Sequence, residues 1–373
     1  MKLIKIVFID DGINECYVPE NQEFESYIVY ENSVKPEKIS TNHFGHANLC
    51  FRVFHDHVRA PYHLISIKIL DAPNGKGNIF ALIAALNWCA DKEIDIIHMS
   101  VGTQQYQDFP IVNDAVSRLA RCSNTIIIAA CNNANTLTLP ACLANVIGVR
   151  HCSNQDLRNT FAYNSSAYDQ IEVITCVDDL HVSHGGNEII KHGTNSIAVP
   201  YIAAHICNYI VQGSRNINEI RTALKHNATM KSSFFSRTFY RSIIKREELD
   251  IPIIALTDYS LSSIMKFKKI IKDFIQRDYR AIGLSPIHET CVSDLIFNIP
   301  TKKSKLDYNL MEMYYNFTLP DIIFLQADFE LIQALPNHLQ PDIILTTFNN
   351  ICVDTLQMDL NDNDLINKII RLF

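Results

Sequence analysis

Hydrophobic positions along the chain follow two alternating patterns. Short runs that are apolar almost throughout (Ile4-Lys5-Ile6-Val7-Phe8-Ile9, Leu64-Ile65-Ser66-Ile67-Lys68-Ile69-Leu70, Ile94-Asp95-Ile96-Ile97-His98-Met99 and residues 125–130) alternate with stretches of helical spacing. Residues 78–91 set Ile79, Leu82, Ile83, Leu86 and Cys89 at helical intervals, and further helices are expected from His46 to about Asp56 and over 111–121. Strands that are apolar on both faces, separated by helices, predict a doubly wound α/β fold, a parallel sheet with helices on both faces. Residues 14–45 read as a polar connection containing Pro19 and Pro36, with a short strand-like patch at Tyr27-Ile28-Val29-Tyr30. Residues 140–149 read as another strand. The polar segment 150–191 reads as hairpin-like, with a strand at Ile171-Glu172-Val173-Ile174-Thr175-Cys176.

The pattern changes after Gly213. Residues 214–248 are rich in Arg and Lys, with Phe234, Phe235, Phe239 and Tyr240 interleaved, and read as a solvated helical connector packed by its aromatics. A second strand and helix alternation begins at Ile251, with strands expected at 251–256, 280–284, 292–297, 321–326 and 342–346 and helices at 261–277, 306–316, 328–335 and 362–371. Its first turn, Leu256-Thr257-Asp258-Tyr259-Ser260-Leu261-Ser262-Ser263, stands where nucleotide-binding folds carry a phosphate loop. It holds no glycine and no Lys-Ser/Thr pair, which argues against backbone cradling of a phosphate. Gly75-Lys76-Gly77 reads as a turn for the same reason.

Composition narrows the functional classes. The 373 residues are 47% hydrophobic and 20% charged, enough for full cores in two domains. A net charge of −7 gives no footprint for nucleic acid or an anionic membrane, and no stretch is long and apolar enough to span a bilayer. Eleven cysteines, an odd number scattered through apolar segments without a Cys-x-x-Cys pair, point to reduced core thiols in the cytoplasm. His181, His184 and His192 fit no regular metal-ligand spacing, so neither a metal nor another cofactor is expected.

Candidate chemistry collects at the carboxyl ends of the strands, where such sheets place their reactive groups. Asp10 ends the first apolar run, Ser100 follows the third, and Asn132 closes Ile126-Ile127-Ile128-Ala129-Ala130-Cys131-Asn132. His46 opens the helical stretch after Gly45. Ser196 sits in His192-Gly193-Thr194-Asn195-Ser196-Ile197-Ala198-Val199-Pro200, at the first turn of an apolar helix, where backbone N–H groups favour a developing negative charge. Pro200 reads as tolerated because first-turn N–H groups lack an intrahelical partner.

Asp10-Asp11-Gly12, His46-Ala47-Asn48, Ser100-Val101-Gly102, Ala129-Ala130-Cys131-Asn132 and Thr194-Asn195-Ser196-Ile197-Ala198-Val199-Pro200 resemble, in order, the Asp-Thr/Ser-Gly, His-Gly-Thr, Ser-Leu-Gly, Ala-Ala-Gly-Asn and Gly-Thr-Ser-Met-Ala-x-Pro motifs of the subtilisin-like serine proteases. The resemblance covers roughly residues 1–212. It implies a catalytic triad of Asp10, His46 and Ser196, an oxyanion donor in Asn132, and substrate contacts from Ser100, Val101, Gly102, Ala129, Ala130 and Cys131, the first three pairing with the substrate as an added strand. His43, in His43-Phe44-Gly45-His46, is a second candidate base; Gly45 before His46 and Cys50 after it favour His46. Ala47, Asn48, Cys131 and Thr194 depart from the family pattern, each adding bulk near the substrate.

Three parts are therefore expected: a subtilisin-like domain (1–212), the basic and aromatic connector (213–250), and a smaller Rossmann-like three-layer α/β domain (251–373) for docking or assembly. The expected function is hydrolysis of peptide bonds by a processing protease of restricted specificity, with removal of leader peptides from ribosomally made modified peptides as its finest form. The alternatives are a catalytically silent peptide-binding relative and a protease of general intracellular protein turnover. The partner is a peptide or protein substrate, with self-association or substrate docking assigned to 251–373. The first strand begins almost at Met1, which predicts folding and activity without removal of a propeptide.

Overall fold

A computed structural model describes residues 3–38, 44–71, 76–165, 167–184, 187–229, 249–257, 261–302, 305–346, 356–359 and 364–372. The chain divides into two compact units, Met1–Gln104 with Asp108–Phe239, and Gln105–Gln107 with Tyr240–Phe373.

The strands of the first unit are β1 (Ile4–Asp10), β2 (Phe24–Tyr30), β3 (Ser33–Pro36), β4 (Tyr62–Lys68), the short β5 (Leu70–Asp71) and β6 (Lys76–Gly77), β7 (Ile96–Met99), β8 (Ile126–Ala130), β9 (Ile147–His151), β10 (Phe161–Tyr163), β11 (Val173–Thr175), β12 (Leu180–His184) and β13 (Asn187–Lys191). Its helices are α1 (His46–His57), α2 (Ile79–Ala90), α3 (Phe109–Cys122), α4 (Asn195–Val211) and α5 (Ile217–Asn227). Nine strands form one sheet in the order β10-β11-β9-β8-β7-β1-β4-β2-β3. The strands from β11 to β2 are parallel, and antiparallel β10 and β3 form the edges.

The sheet is the doubly wound one that the apolar runs predict. Ile4, Ile6 and Phe8 of β1 enter a core with α1 and α4, including Cys50, Val53, Phe54, Ile202 and Ile206. Val7 and Ile9 point the other way by the two-residue period of a strand and are fully buried. Helices α2 and α3 bury Leu82, Leu86, Val112, Val116 and Leu119 outside the α1/α4 core.

Three readings change. The 14–45 connection contains a real hairpin: β2 adds to β4 in parallel and β3 folds back on it, with Pro36 on the outermost strand, where a missing N–H costs nothing. The strand expected over 140–149 begins only at Ile147, because 140–146 is occupied by turns. The first unit also runs past 212. Helix α5 buries Ile220 and Leu224 in the α1/α4 core, and Arg221 pairs with Glu172. The rest of the connector, 230–248, lies outside the described residues.

In the second unit, β14 (Ile253–Leu256), β15 (Ala281–Ser285), β16 (Ile296–Asn298), β19 (Ile322–Gln326), β20 (Ile343–Thr346) and β21 (Leu356–Asp359) form a sheet in the order β16-β15-β19-β14-β20-β21, while β17 (Thr301–Lys302) and β18 (Lys305–Leu306) pair separately. All pairs in the larger sheet are parallel. The helix Leu261–Ile275 buries Phe267, Ile270, Ile271 and Phe274 at helical spacing. The run expected as a strand at 292–297 opens instead with a 3-10 turn, Val292–Asp294, and only Ile296–Asn298 pairs. Residues 258–260 of the Leu256–Ser263 turn lie outside the described residues.

Candidate active site

The register of the first sheet brings the candidate groups level. Ile9 pairs with Met99 and Met99 with Ala129, so Asp10, Ser100 and Ala130 follow side by side at the carboxyl edge. Helices α1 and α4 start over that edge, His46 as the first residue of α1 and Ser196 as the second of α4. Asp10 is buried, and its Oδ2 stands 2.8 Å from His46 Nδ1. His46 Nε2 stands 2.9 Å from Ser196 Oγ. An imidazole held by a carboxylate on one nitrogen and facing a hydroxyl on the other can take that hydroxyl's proton and return it to a leaving group. His43 lies outside the described residues.

Asp11 anchors the helix that carries the histidine. The N-cap of α1 is Gly45, which has no side chain to cap with, and Asp11 supplies the acceptors instead: His46 N–H donates to Oδ2 at 2.8 Å and Ala47 N–H to Oδ1 at 2.7 Å. The glycine is required by this arrangement, since a Cβ at 45 would stand 2.7 Å from Asp11 Oδ2.

Pro200 lies deeper in α4 than the sequence suggests. The helix begins at Asn195, so Pro200 is past the first turn and the carbonyl it cannot partner belongs to Ser196 itself. Ser100 Oγ donates to that carbonyl at 3.1 Å, and Cys50 Sγ lies 3.6 Å from it. Behind Ser100 stands His98, fully buried, stacked on Phe8 at 4.3 Å, its Nε2 3.4 Å from Ser100 Oγ.

The substrate and oxyanion residues divide. Ser100 and Val101 are half-buried and Gly102 is exposed, ahead of the bridge in which Thr103 N–H donates to Leu139 O at 2.8 Å and Leu139 N–H returns the bond at 3.0 Å. Position 102 requires a residue without a Cβ, since a Cβ there would stand 2.5 Å from Leu139 O. Ala129 and Ala130 are buried, paired to β7 and β9, and the buried Cys131 donates its N–H to Val149 O at 3.1 Å. Asn132 comes next to α4 through its backbone, as Asn195 Nδ2 donates to Asn132 O at 2.6 Å. Its carboxamide turns into its own loop: Nδ2 lies 3.0 Å from Thr136 O and 2.6 Å from both Thr136 Oγ1 and Thr138 Oγ1, and Oδ1 accepts from Thr136 N–H at 3.1 Å. None of these bonds reaches Ser196. That loop is braced by Arg150, whose Nε donates to Asn135 Oδ1 at 2.9 Å while Nη1 meets Asp169 at 2.6 Å, both charges being buried.

The electrostatics follow from these contacts. The Cys50 sulfur in its thiolate form and the Asp10 carboxylate favour the His46 imidazolium over the opposing effect of burial, so His46 is held well above 6.5. Complete burial raises Cys50 above its ordinary 9.0, so near neutrality the thiol is uncharged and Asp10 is the charge acting on the ring. Burial lowers His98 to about 3, leaving a neutral ring beside Ser100. Burial and the neighbouring Asp10 raise Asp11 above 3.8.

Among the described residues, the one His, Cys, Asp and Glu cluster able to share an ion is Asp10, His46 and Cys50, with ligand atoms within 4.8 Å of one another, and two of them, Asp10 and His46, belong to the hydrogen-bonded chain itself. His192 is exposed and meets Asp179 at 3.1 Å. Every described cysteine is a free thiol, and no described helix is long and apolar enough to cross a membrane. Sequence reasoning missed Asp11 as a cap, His98, and Thr194, whose Oγ1 stands 2.9 Å from Ser196 Oγ. Only the departure of Thr194 from the Gly-Thr-Ser pattern gave any signal.

The model of the subtilase family matches residues 8–240. The minor extracellular protease Epr of Bacillus subtilis (strain 168) is 27% identical over 214 residues, 54% of this chain and 31% of that protein. Subtilisin DY of Bacillus licheniformis is 24% identical over 180 residues, 46% of this chain and 63% of its own length. The chain thus spans between about a third and somewhat under two thirds of these relatives. Among solved structures, a lanthipeptide protease superposes with a TM-score of 0.46 at 13% identity, over 61% of this chain and 80% of that one. The prenylagaramide maturation protease PagA gives 0.45 at 18% identity, over 61% and 83%.

Proposed function

The chain belongs to the subtilase family, and from that membership we propose that it is a serine endopeptidase using Asp10, His46 and Ser196. The observation that carries the reading is the unbroken run of hydrogen bonds, 2.8 Å from Asp10 to His46 and 2.9 Å from His46 to Ser196. Ser196 Oγ attacks the carbonyl carbon as its proton passes to His46 Nε2. Asp10 fixes the ring with Nε2 free to accept and steadies the imidazolium that forms. The leaving amine takes the proton from His46, and water then repeats the sequence on the acyl-enzyme. The oxyanion meets the N–H of Ser196, which has no partner among the described residues, together with Asn132 once its carboxamide leaves Thr136 and Thr138. The backbone of Ser100, Val101 and Gly102 receives the substrate as an added strand, and the 129–131 segment forms the wall beside it.

The finer reading is a processing protease of restricted specificity that removes leader peptides from ribosomally made modified peptides in the cytoplasm. What supports restriction is the bulk of Cys131 and Thr194 at positions where the family pattern has glycine; the unpaired cysteines support a reducing compartment. The unit with the parallel β14 to β21 sheet serves docking or assembly, raising the local concentration of substrate at the groove. Incubating wild type and Ser196→Ala with a library of unstructured peptides tests the activity: cleavage by wild type alone is expected. Equal absence of cleavage from both would replace this reading with a silent peptide-binding relative.

A further inference from the structure

We propose that Thr194 is a further catalytic residue, whose hydroxyl holds Ser196 Oγ in line with His46 and then donates to the oxyanion. The inference rests on the endopeptidase reading above.

Thr194 is the N-cap of α4, with extended backbone at φ −136° and ψ 168°. A threonine in that position ordinarily turns its oxygen to the free N–H groups of the first turn. Here the side chain makes no capping bond. Its Oγ1 lies 2.9 Å from Ser196 Oγ, the one side-chain hydrogen bond of Thr194 among the described residues. The main chain is fixed independently, since Thr194 O accepts from Ile197 and Ala198 N–H, each at 3.1 Å. The neighbouring Asn195 cannot take the same part: its Oδ1 accepts from His151 N–H at 2.8 Å and its Nδ2 donates to Asn132 O at 2.6 Å. The Asn132 carboxamide is turned to Thr136 and Thr138 and lies on no hydrogen bond to Ser196 Oγ among the described residues. The hydroxyl nearest the reacting oxygen therefore belongs to Thr194.

Proton accounting sets its direction. With His46 neutral, the form that acts as the base, the one hydroxyl hydrogen of Ser196 is directed at His46 Nε2, so Thr194 is the donor in the second contact. When the Oγ–carbon bond forms, the Ser196 proton moves to His46 and the carbonyl π pair moves to the substrate oxygen. That oxygen and Oγ are then bonded to one carbon, and Oγ has lost most of its charge. The Thr194 O–H turns from Oγ to the oxyanion next to it and keeps its own proton throughout. Collapse breaks the C–N bond, returns the pair to the carbonyl, and releases the hydroxyl to Oγ again. The interaction is strongest at the tetrahedral stage, so it acts on kcat more than on KM.

The test compares wild type, Thr194→Val, Thr194→Ser and Thr194→Ala on one peptide substrate, with thermal melting of each. Thr194→Val and Thr194→Ala are expected to lower kcat by about 10- to 100-fold with KM within about twofold of wild type. Thr194→Ser, which keeps the hydroxyl, is expected to recover most of the rate. Melting midpoints should be unchanged, because the hydroxyl caps nothing. Active wild type with Thr194→Val and Thr194→Ala at wild-type kcat would overturn the proposal alone, as would a Thr194→Ser variant no faster than Thr194→Val. Absence of turnover by wild type would overturn the endopeptidase reading and this proposal with it.

Discussion

The hydroxyl of Ser100 donates to the backbone carbonyl of Ser196 across 3.1 Å, supplying the bond that Pro200 denies to the helix. A residue expected to serve the substrate through its backbone thus also braces the nucleophile through its side chain. Ser100→Ala should destabilise the first unit by ~1 kcal/mol, the ordinary net value of one hydrogen bond, read from the urea midpoint. The double variant Ser100→Ala, Pro200→Ala should recover part of that loss, since an alanine N–H at 200 can donate to the same carbonyl.

Asp11 caps α1 from outside the helix, through bonds of 2.8 and 2.7 Å to His46 and Ala47 N–H. Asp11→Ala should cost about 1–2 kcal/mol of stability, as for loss of an N-cap. Asp11→Asn, with one oxygen retained, should cost less. Chemical denaturation of the two variants side by side checks the order.

The strands, their parallel arrangement and the position of Asp10 were legible because buried parallel strands leave continuous apolar runs and their reactive groups fall where those runs stop; His46 and Ser196, which open helices, were legible through the resemblance of their motifs to those of the subtilisin-like proteases. The Asp11 cap, the Ser100 brace and the Thr194 contact were not. Each depends on segments meeting after folding, with Ser100 and Ser196 separated by 96 positions, and each uses a polar residue whose local reading is a turn. The β2–β3 hairpin was understated for a related reason: an exposed edge strand such as Ser33–Pro36 has little apolar signal. The Asn132 motif was legible, but not that Thr136 and Thr138 would draw its carboxamide into the loop.

The raised pKa of His46 fixes a pH dependence. The base works only when neutral, so kcat/KM should rise with pH along an acid limb displaced above 6.5 by the Asp10 carboxylate. Asp10→Asn should move that limb to lower pH while depressing the plateau. The sign for stability is opposite: a raised native pKa stabilises the folded chain fully below the unfolded value of 6.5, and the contribution disappears as pH rises through the native value. A pH series of kcat/KM and of urea midpoints should therefore slope in opposite directions across that window.

Arg150 and Asp169 form a buried pair at 2.6 Å that supports the Asn132 loop through Asn135. Asp169→Ala leaves a buried guanidinium without its counter-charge and should destabilise the fold by about 3–5 kcal/mol. Replacing both, as Arg150→Met with Asp169→Leu, should cost much less. Thermal melting of the single and double variants distinguishes the two.

The central claim is that Ser196 is a nucleophile activated by His46 and oriented through Asp10. Its most direct measurement is the rate at which a fluorophosphonate modifies the full-length protein, with the adduct mapped by mass spectrometry. The account predicts a single adduct on Ser196, formed at least about 100-fold more slowly in His46→Ala, the usual range for losing a general base, and absent from Ser196→Ala. An adduct on another serine, or equal rates in wild type and His46→Ala, would contradict it.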